Sequence, residues 1–162
     1  MIIVFFVSVF YKQQNTMVFT HFPVQEQAER RVKSAEASLY LFLFFSKKNC
    51  AECLKKIVKD LNDLSPPFYV LGIVPGNELE DEQELRLITK AEFPLSRFEK
   101  YRKYVPLYTP TLIGVSPSGV VVFVLPEISR SKNIYLKGFL TSILARLDHL
   151  LKDEKAQDKN GG

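Results

Sequence analysis

Cys50-Ala51-Glu52-Cys53 sets two thiols three positions apart, and they are the only cysteines in the 162 residues. The pair follows an unbroken apolar run and opens a stretch with helical apolar spacing, so it falls at a strand-to-helix junction. At a helix start the unpaired N–H groups and the positive end of the dipole favour a thiolate, which makes Cys50 the acidic, exposed sulfur. Lys47 and Lys48 immediately upstream push the same way. Asn49 is placed to act as N-cap with Glu52 as a capping-box-like partner. Glu52, between the two sulfurs, opposes the effect somewhat; the four residues Lys47, Lys48, Asn49 and Glu52 are thus the candidates for tuning the thiol. Cys53, nearly one turn on and on the same face, can reach Cys50 and should lie deeper. One accessible and one protected sulfur are what thiol–disulfide exchange needs. The first attacks a partner disulfide, and the second releases the partner from the mixed disulfide.

Competing chemistries find less support. His21 and His149 are the only histidines and lie near opposite ends of the chain, so no tetrahedral Cys/His metal site can be assembled and no metal is expected. A pair of structural cysteines is the plainer alternative, but a strand-to-helix junction is not a random place for C-x-x-C. No glycine-rich phosphate loop and no Ser-His-Asp arrangement can be drawn. With 22 basic against 18 acidic residues, the +4 balance is too small and too interleaved to argue nucleic-acid binding. The group Lys47, Lys48, Arg97, Lys100, Arg102 and Lys103 would suit an acidic partner if folding gathered it, although a solvated surface explains it as well. Tyr101, Tyr104 and Tyr108 with Phe98 would make an aromatic rim for recognition or simply cover the edge of the core.

The elements that must position the thiols follow from hydrophobic period. A content of 46% hydrophobic and 25% charged residues is globular, and the length suits one domain with its own core. Residues 17–21 form a short apolar run, and 24–37 reads as a surface helix. The seven apolar residues 39–45 predict a strand buried on both faces. A helix follows over 50–64 with Leu54, Ile57, Val58, Leu61 and Leu64 as its stripe, stopped by Ser65-Pro66-Pro67. Residues 68–74 are a second buried strand. The acids of 78–84 open a helix carried by Leu85, Ile88 and Ala91, where they complement the dipole; this is a plainer account than a metal site. A short strand at 93–95 and a short basic helix at 98–104 come next. Strands at 111–115 and 120–125 flank Ser116-Pro117-Ser118-Gly119 as an antiparallel hairpin. A last helix, 138–151, buries Phe139, Ile143, Leu144, Leu147 and Leu151. Strands alternating with helices require a parallel sheet packed on both faces, and the closing hairpin adds antiparallel strands. The class is α/β with a mixed central sheet.

The ends divide the chain into 1–16, 17–151 and 152–162. Residues 1–10 are apolar except Ser8, too short for a spanning helix, which needs about 20 residues, but of the length of a signal h-region. They read as the end of an export signal or membrane anchor, with a strand or buried segment as the alternative; the expected location is extracytoplasmic, with the cytoplasm as alternative. Residues 152–162 read as a flexible charged tail.

From about residue 17 to 151 the chain resembles the thioredoxin-like superfamily. The strand at 39–45 leading into Cys50-Ala51-Glu52-Cys53, the segment Tyr108-Thr109-Pro110-Thr111 and the hairpin after it carry the resemblance. It implies that Pro110 is cis and lies against the active-site sulfurs, and that the Thr109 backbone pairs with an extended partner peptide. The added segment 93–104 is similar to the membrane-tethered thiol-disulfide reductases of cytochrome c maturation and to redoxins. The aromatic residue usual before the first cysteine is replaced by Asn49, and the buried acid of ordinary thioredoxins has no counterpart in 17–21. A peroxiredoxin-like site would need Thr or Ser three residues before the cysteine, where Lys47 stands.

The expected activity is therefore thiol–disulfide exchange by a Cys50–Cys53 pair, with Thr109 and Pro110 as docking wall. It needs no dissociable cofactor. The partners are protein disulfides or dithiols and a protein that donates or accepts electrons, and the chain is expected to act as a monomer. The rivals are a thioredoxin-fold adaptor without redox turnover and, more remotely, a peroxidase.

Overall fold

The computed structural model describes residues 22, 37–101, 109–126 and 135–160. The apolar run at 17–21, almost all of the helix at 24–37, and the apolar run at 1–10 lie outside the described residues, as do His21, Arg102, Lys103, Tyr104 and Tyr108.

A five-stranded sheet is built from β1 (Leu39–Phe44), β2 (Phe68–Val74), β3 (Leu95–Arg97), β4 (Thr111–Val115) and β5 (Val121–Leu125), in the order β3-β2-β1-β4-β5. β1 is the centre. It runs parallel to β2 in the register Leu39↔Phe68 to Phe44↔Ile73 and antiparallel to β4 in the register Tyr40↔Val115 to Phe44↔Thr111. β3 extends the parallel half and β5 the antiparallel half. The sheet is mixed, as the order of elements requires.

The apolar run predicted to be buried on both faces is so. Leu39, Leu41, Leu43 and Phe45 enter one core, while Tyr40, Phe42 and Phe44 enter the other, because successive strand residues point to opposite faces. The first core is closed by α1 (Ala51–Asn62) through Leu54, Ile57, Val58 and Leu61, by Leu85 of α3 (Glu82–Thr89), and by Leu136, Leu140 and Leu147 of α4 (Leu136–Asn160). The second contains Leu71, Ile73, Ile113, Val115 and Val121, capped by Phe22, whose ring centroid lies 4.4 Å from that of Phe42.

Several boundaries differ from the sequence reading. α3 ends at Thr89 instead of Ala91, because Lys90 takes the left-handed conformation (φ 63°) and its N–H returns to the Arg86 carbonyl. Ala91 and Phe93 are thereby turned into the core, and the Arg86 guanidinium donates to both of their carbonyls at 2.7 and 3.1 Å. The edge strand consequently starts at Leu95, and a 3-10 turn, Phe98–Tyr101, follows it. α4 starts two residues early, so Leu136 and Leu140 join the stripe while Phe139, Ile143 and Leu144 are only partly buried. The same helix continues to Asn160 through the segment read as a charged tail, where Lys, Glu, Gln and Ala are all good helix formers. Within the hairpin Gly119 adopts φ 88°, which suits glycine, and Gly114 lies under the Phe123 ring directly across from it.

Candidate functional site

Three chain segments meet at one end of the central strands, and strand direction decides which. β1 and β2 are parallel, so both end there, and the loop 45–50 and the segment 75–78 leave side by side. β4 is antiparallel to β1 and starts there; with Phe44 opposite Thr111, the preceding Thr109 and Pro110 must lie beside the loop that follows β1. The helix α1 starts from that loop.

Cys50 is the N-cap of α1 and is exposed. Its carbonyl accepts the first helical bond, from Leu54 N–H at 2.9 Å. Cys53 is the third residue of the helix. Asn49 is not the N-cap, contrary to the sequence reading. Its side-chain oxygen accepts the Ser46 N–H at 2.8 Å, and its amide nitrogen donates to the Thr109 carbonyl at 2.9 Å and the Thr109 hydroxyl at 3.0 Å. The tight turn 46–49, closed by Asn49 N–H to the Ser46 carbonyl at 3.0 Å, presents that amide to Thr109. Glu52 likewise forms no capping box; its exposed carboxylate pairs with Lys55 at 2.8 Å.

Glu78 holds the other side of the loop. It belongs to the single turn α2 (Gly76–Leu79) and is buried, 4% exposed. One carboxylate oxygen accepts the Ser46 hydroxyl at 2.6 Å and the other the Lys47 N–H at 2.7 Å. The Ser46 oxygen in turn accepts the Lys48 N–H at 3.1 Å. A neighbouring bond ties the Gly76 N–H to Glu99 at 3.3 Å. From sequence the acid stretch 78–84 is a helix start. Asp81 and its neighbours fit that role, since the Asp81 side chain caps α3 by accepting the Glu84 N–H at 3.0 Å. Glu78 does something different, and neither its role nor that of Ser46 was found from sequence. Only a sheet topology fine enough to set the ends of β1 and β2 together would have signalled them.

Both lysines are exposed. Lys47 reaches Glu84 at 3.0 Å, and this hydrogen bond, with the attraction of the carboxylate, raises its pKa above the ordinary lysine value. Its charge is therefore directed to α3. Lys48 is tied to the turn only through its backbone. Of the six basic residues grouped from sequence, Arg97 sits on the edge strand β3 and is exposed, away from the Lys47–Glu84 pair in the chain; Arg102 and Lys103 fall outside the described residues. Thr109 is half-buried and Pro110 buried, and the Thr109–Pro110 peptide bond is cis. The site residues Asn49, Thr109 and Pro110 thus share one bonded corner, next to Cys50 in the chain. Among the described residues there is no cluster of three or more His, Cys, Asp and Glu side chains able to hold a metal ion, and no helix is long and apolar enough to cross a membrane.

A central β1 with one parallel and one antiparallel neighbour, a helix bearing C-x-x-C after it, and a cis-proline turn tied through Thr109 to the loop before that helix define a thioredoxin-like fold. Solved structures agree. The chain is similar to a thiol-disulfide oxidoreductase from Bacteroides fragilis at 18% identity and a TM-score of 0.53, covering 70% of this chain and 87% of that one. It is also similar to the thioredoxin domain of a thiol-disulfide oxidoreductase from Bacteroides vulgatus, at 17% identity and a TM-score of 0.51, covering 67% and 81%. No protein-family model matches the chain, and no curated protein matches it.

Proposed function

We propose that the chain is a thiol–disulfide oxidoreductase that exchanges disulfides with protein partners through Cys50 and Cys53. The observation that carries this reading is the exposure of Cys50 at the start of α1, at the end of β1 where Asn49 ties the preceding loop to Thr109. The helix start supplies free N–H groups and dipole charge to a thiolate there.

The Cys50 thiolate attacks one sulfur of a partner disulfide; a Cys50–partner S–S bond forms and the other partner sulfur leaves as thiolate. Cys53 then gives up its proton and attacks Cys50. The Cys50–Cys53 disulfide forms, and the second partner thiolate departs. The partner gains two electrons and two protons, and the chain loses them; a donor or acceptor protein restores the dithiol or drives the cycle in reverse. Sulfur alone closes this cycle, so no dissociable cofactor enters. Thr109 and Pro110 form the wall against which the partner docks. The monomer is the working unit. Action outside the cytoplasm, with the apolar segment 1–10 as signal or anchor, belongs to the same proposal and is supported by the composition of that segment.

A disulfide-reduction assay together with the midpoint potential tests the reading. Turnover and a reversible two-electron couple in the wild type, both lost in Cys50→Ser, are expected. Absence of turnover, with partner binding intact in Cys50→Ser, would make the chain an adaptor.

A further inference from the structure

The position before the first thiol carries an amide whose every polar atom is engaged. The Asn49 oxygen takes the Ser46 N–H, and the two amide hydrogens have two acceptors, the carbonyl and the hydroxyl of Thr109. This fixes the orientation. A flipped amide would set its oxygen against the Thr109 carbonyl and its nitrogen against the Ser46 N–H. The turn that presents the amide is itself anchored, since Ser46 and Lys47 are both held by the buried Glu78 carboxylate.

The acceptor so engaged is one that matters for docking. A peptide that pairs with Thr109 as an added strand must donate an N–H to the Thr109 carbonyl. It must also bring its sulfur to Cys50, and therefore approaches from the side where Asn49 stands. We propose that Asn49 is a specificity-determining residue: by occupying the Thr109 carbonyl it disfavours extended peptide disulfides relative to disulfides that reach Cys50 without strand pairing. The inference rests on the exchange reading above. A carbonyl can accept a second bond, so Asn49 weakens strand docking without abolishing it.

The test compares kcat/KM for two probes, bis(2-hydroxyethyl) disulfide and an uncharged linear peptide held in a mixed disulfide. It uses the wild type, Asn49→Ala and Asn49→Asp. Asn49→Asp keeps the acceptor for the Ser46 N–H, and with it the turn, but offers nothing to the Thr109 carbonyl. The same sulfur attacks both probes, so any change in its reactivity cancels in the ratio of the two constants. The ratio of peptide to small disulfide should rise about 3- to 10-fold in both variants, the equivalent of one net hydrogen bond returned to the docking strand. An unchanged or lower ratio with active enzyme overturns the role of Asn49 alone. Failure of the wild type on both probes overturns the exchange reading, and this inference with it.

Discussion

Glu78 offers the sharpest test of how the site is held. Its carboxylate is almost wholly buried, and it carries two short bonds, to the Ser46 hydroxyl at 2.6 Å and the Lys47 N–H at 2.7 Å. Hydrogen bonds to a charged acceptor contribute about 1.5–3 kcal/mol each, and a donor left unmatched in a closed setting costs a similar amount. Lys47 is at the surface, so water can serve its N–H once the carboxylate is gone; Ser46 is half-buried and is served less well. Glu78→Ala should therefore destabilise the fold by about 2–4 kcal/mol, less than the sum of two full bonds. For a chain of this size that is a fall in Tm of about 4–16 °C. Glu78→Gln keeps the shape and one oxygen acceptor and should lose about 1–2 kcal/mol. Urea titrations of the three proteins give the differences directly. A loss below about 0.5 kcal/mol in the alanine variant would mean that water replaces the carboxylate at no cost, and the view of Glu78 as the clasp of the 46–49 turn would be wrong.

Other outcomes follow from single contacts. Gly114→Ala places a methyl group into the Phe123 ring across the strand pair, so it should cost about 1–3 kcal/mol in urea unfolding, unless Phe123 swings out and stability is unchanged. Leu61→Ala, at a side chain 1% exposed beneath β1, should cost about 2–5 kcal/mol by the same measurement. Lys47 has its pKa raised in the folded chain by Glu84, so its contribution is complete below the ordinary lysine value and is lost as pH rises through the higher folded value. Glu84→Gln should flatten that alkaline decline in denaturation midpoints, and added salt should flatten it in the wild type too.

How far the sequence speaks depends on the range of the contact involved. The strands β1 and β2 were legible because both faces of a central strand are buried, and this leaves unbroken runs such as Leu39 to Phe44. The stripe of α1 was legible because helical period alone selects Leu54, Ile57, Val58 and Leu61. The pair Cys50 and Cys53 needs only a local junction to be noticed. Asn49 was misread because its cap role is the local option, whereas its actual partner Thr109 lies sixty positions away. Glu78 was misread for the same reason: among neighbouring acids it resembles a dipole partner, and its burial comes from the meeting of two strand ends. The end of α3 turned on Lys90 adopting a left-handed conformation that no glycine or asparagine announced. The last helix runs past the expected end because the charged residues 152–160 include strong helix formers.

Single-serine variants separate the proposed attacking sulfur, Cys50, from the proposed releasing one, Cys53. The most direct measurement exposes Cys50→Ser and Cys53→Ser to a disulfide-bonded peptide and identifies the adducts by mass spectrometry after digestion. A stable mixed disulfide is expected on Cys50 in Cys53→Ser and none in Cys50→Ser. Adduct formation on Cys53 in Cys50→Ser, with Cys50 unreactive in the other variant, would reverse the two roles.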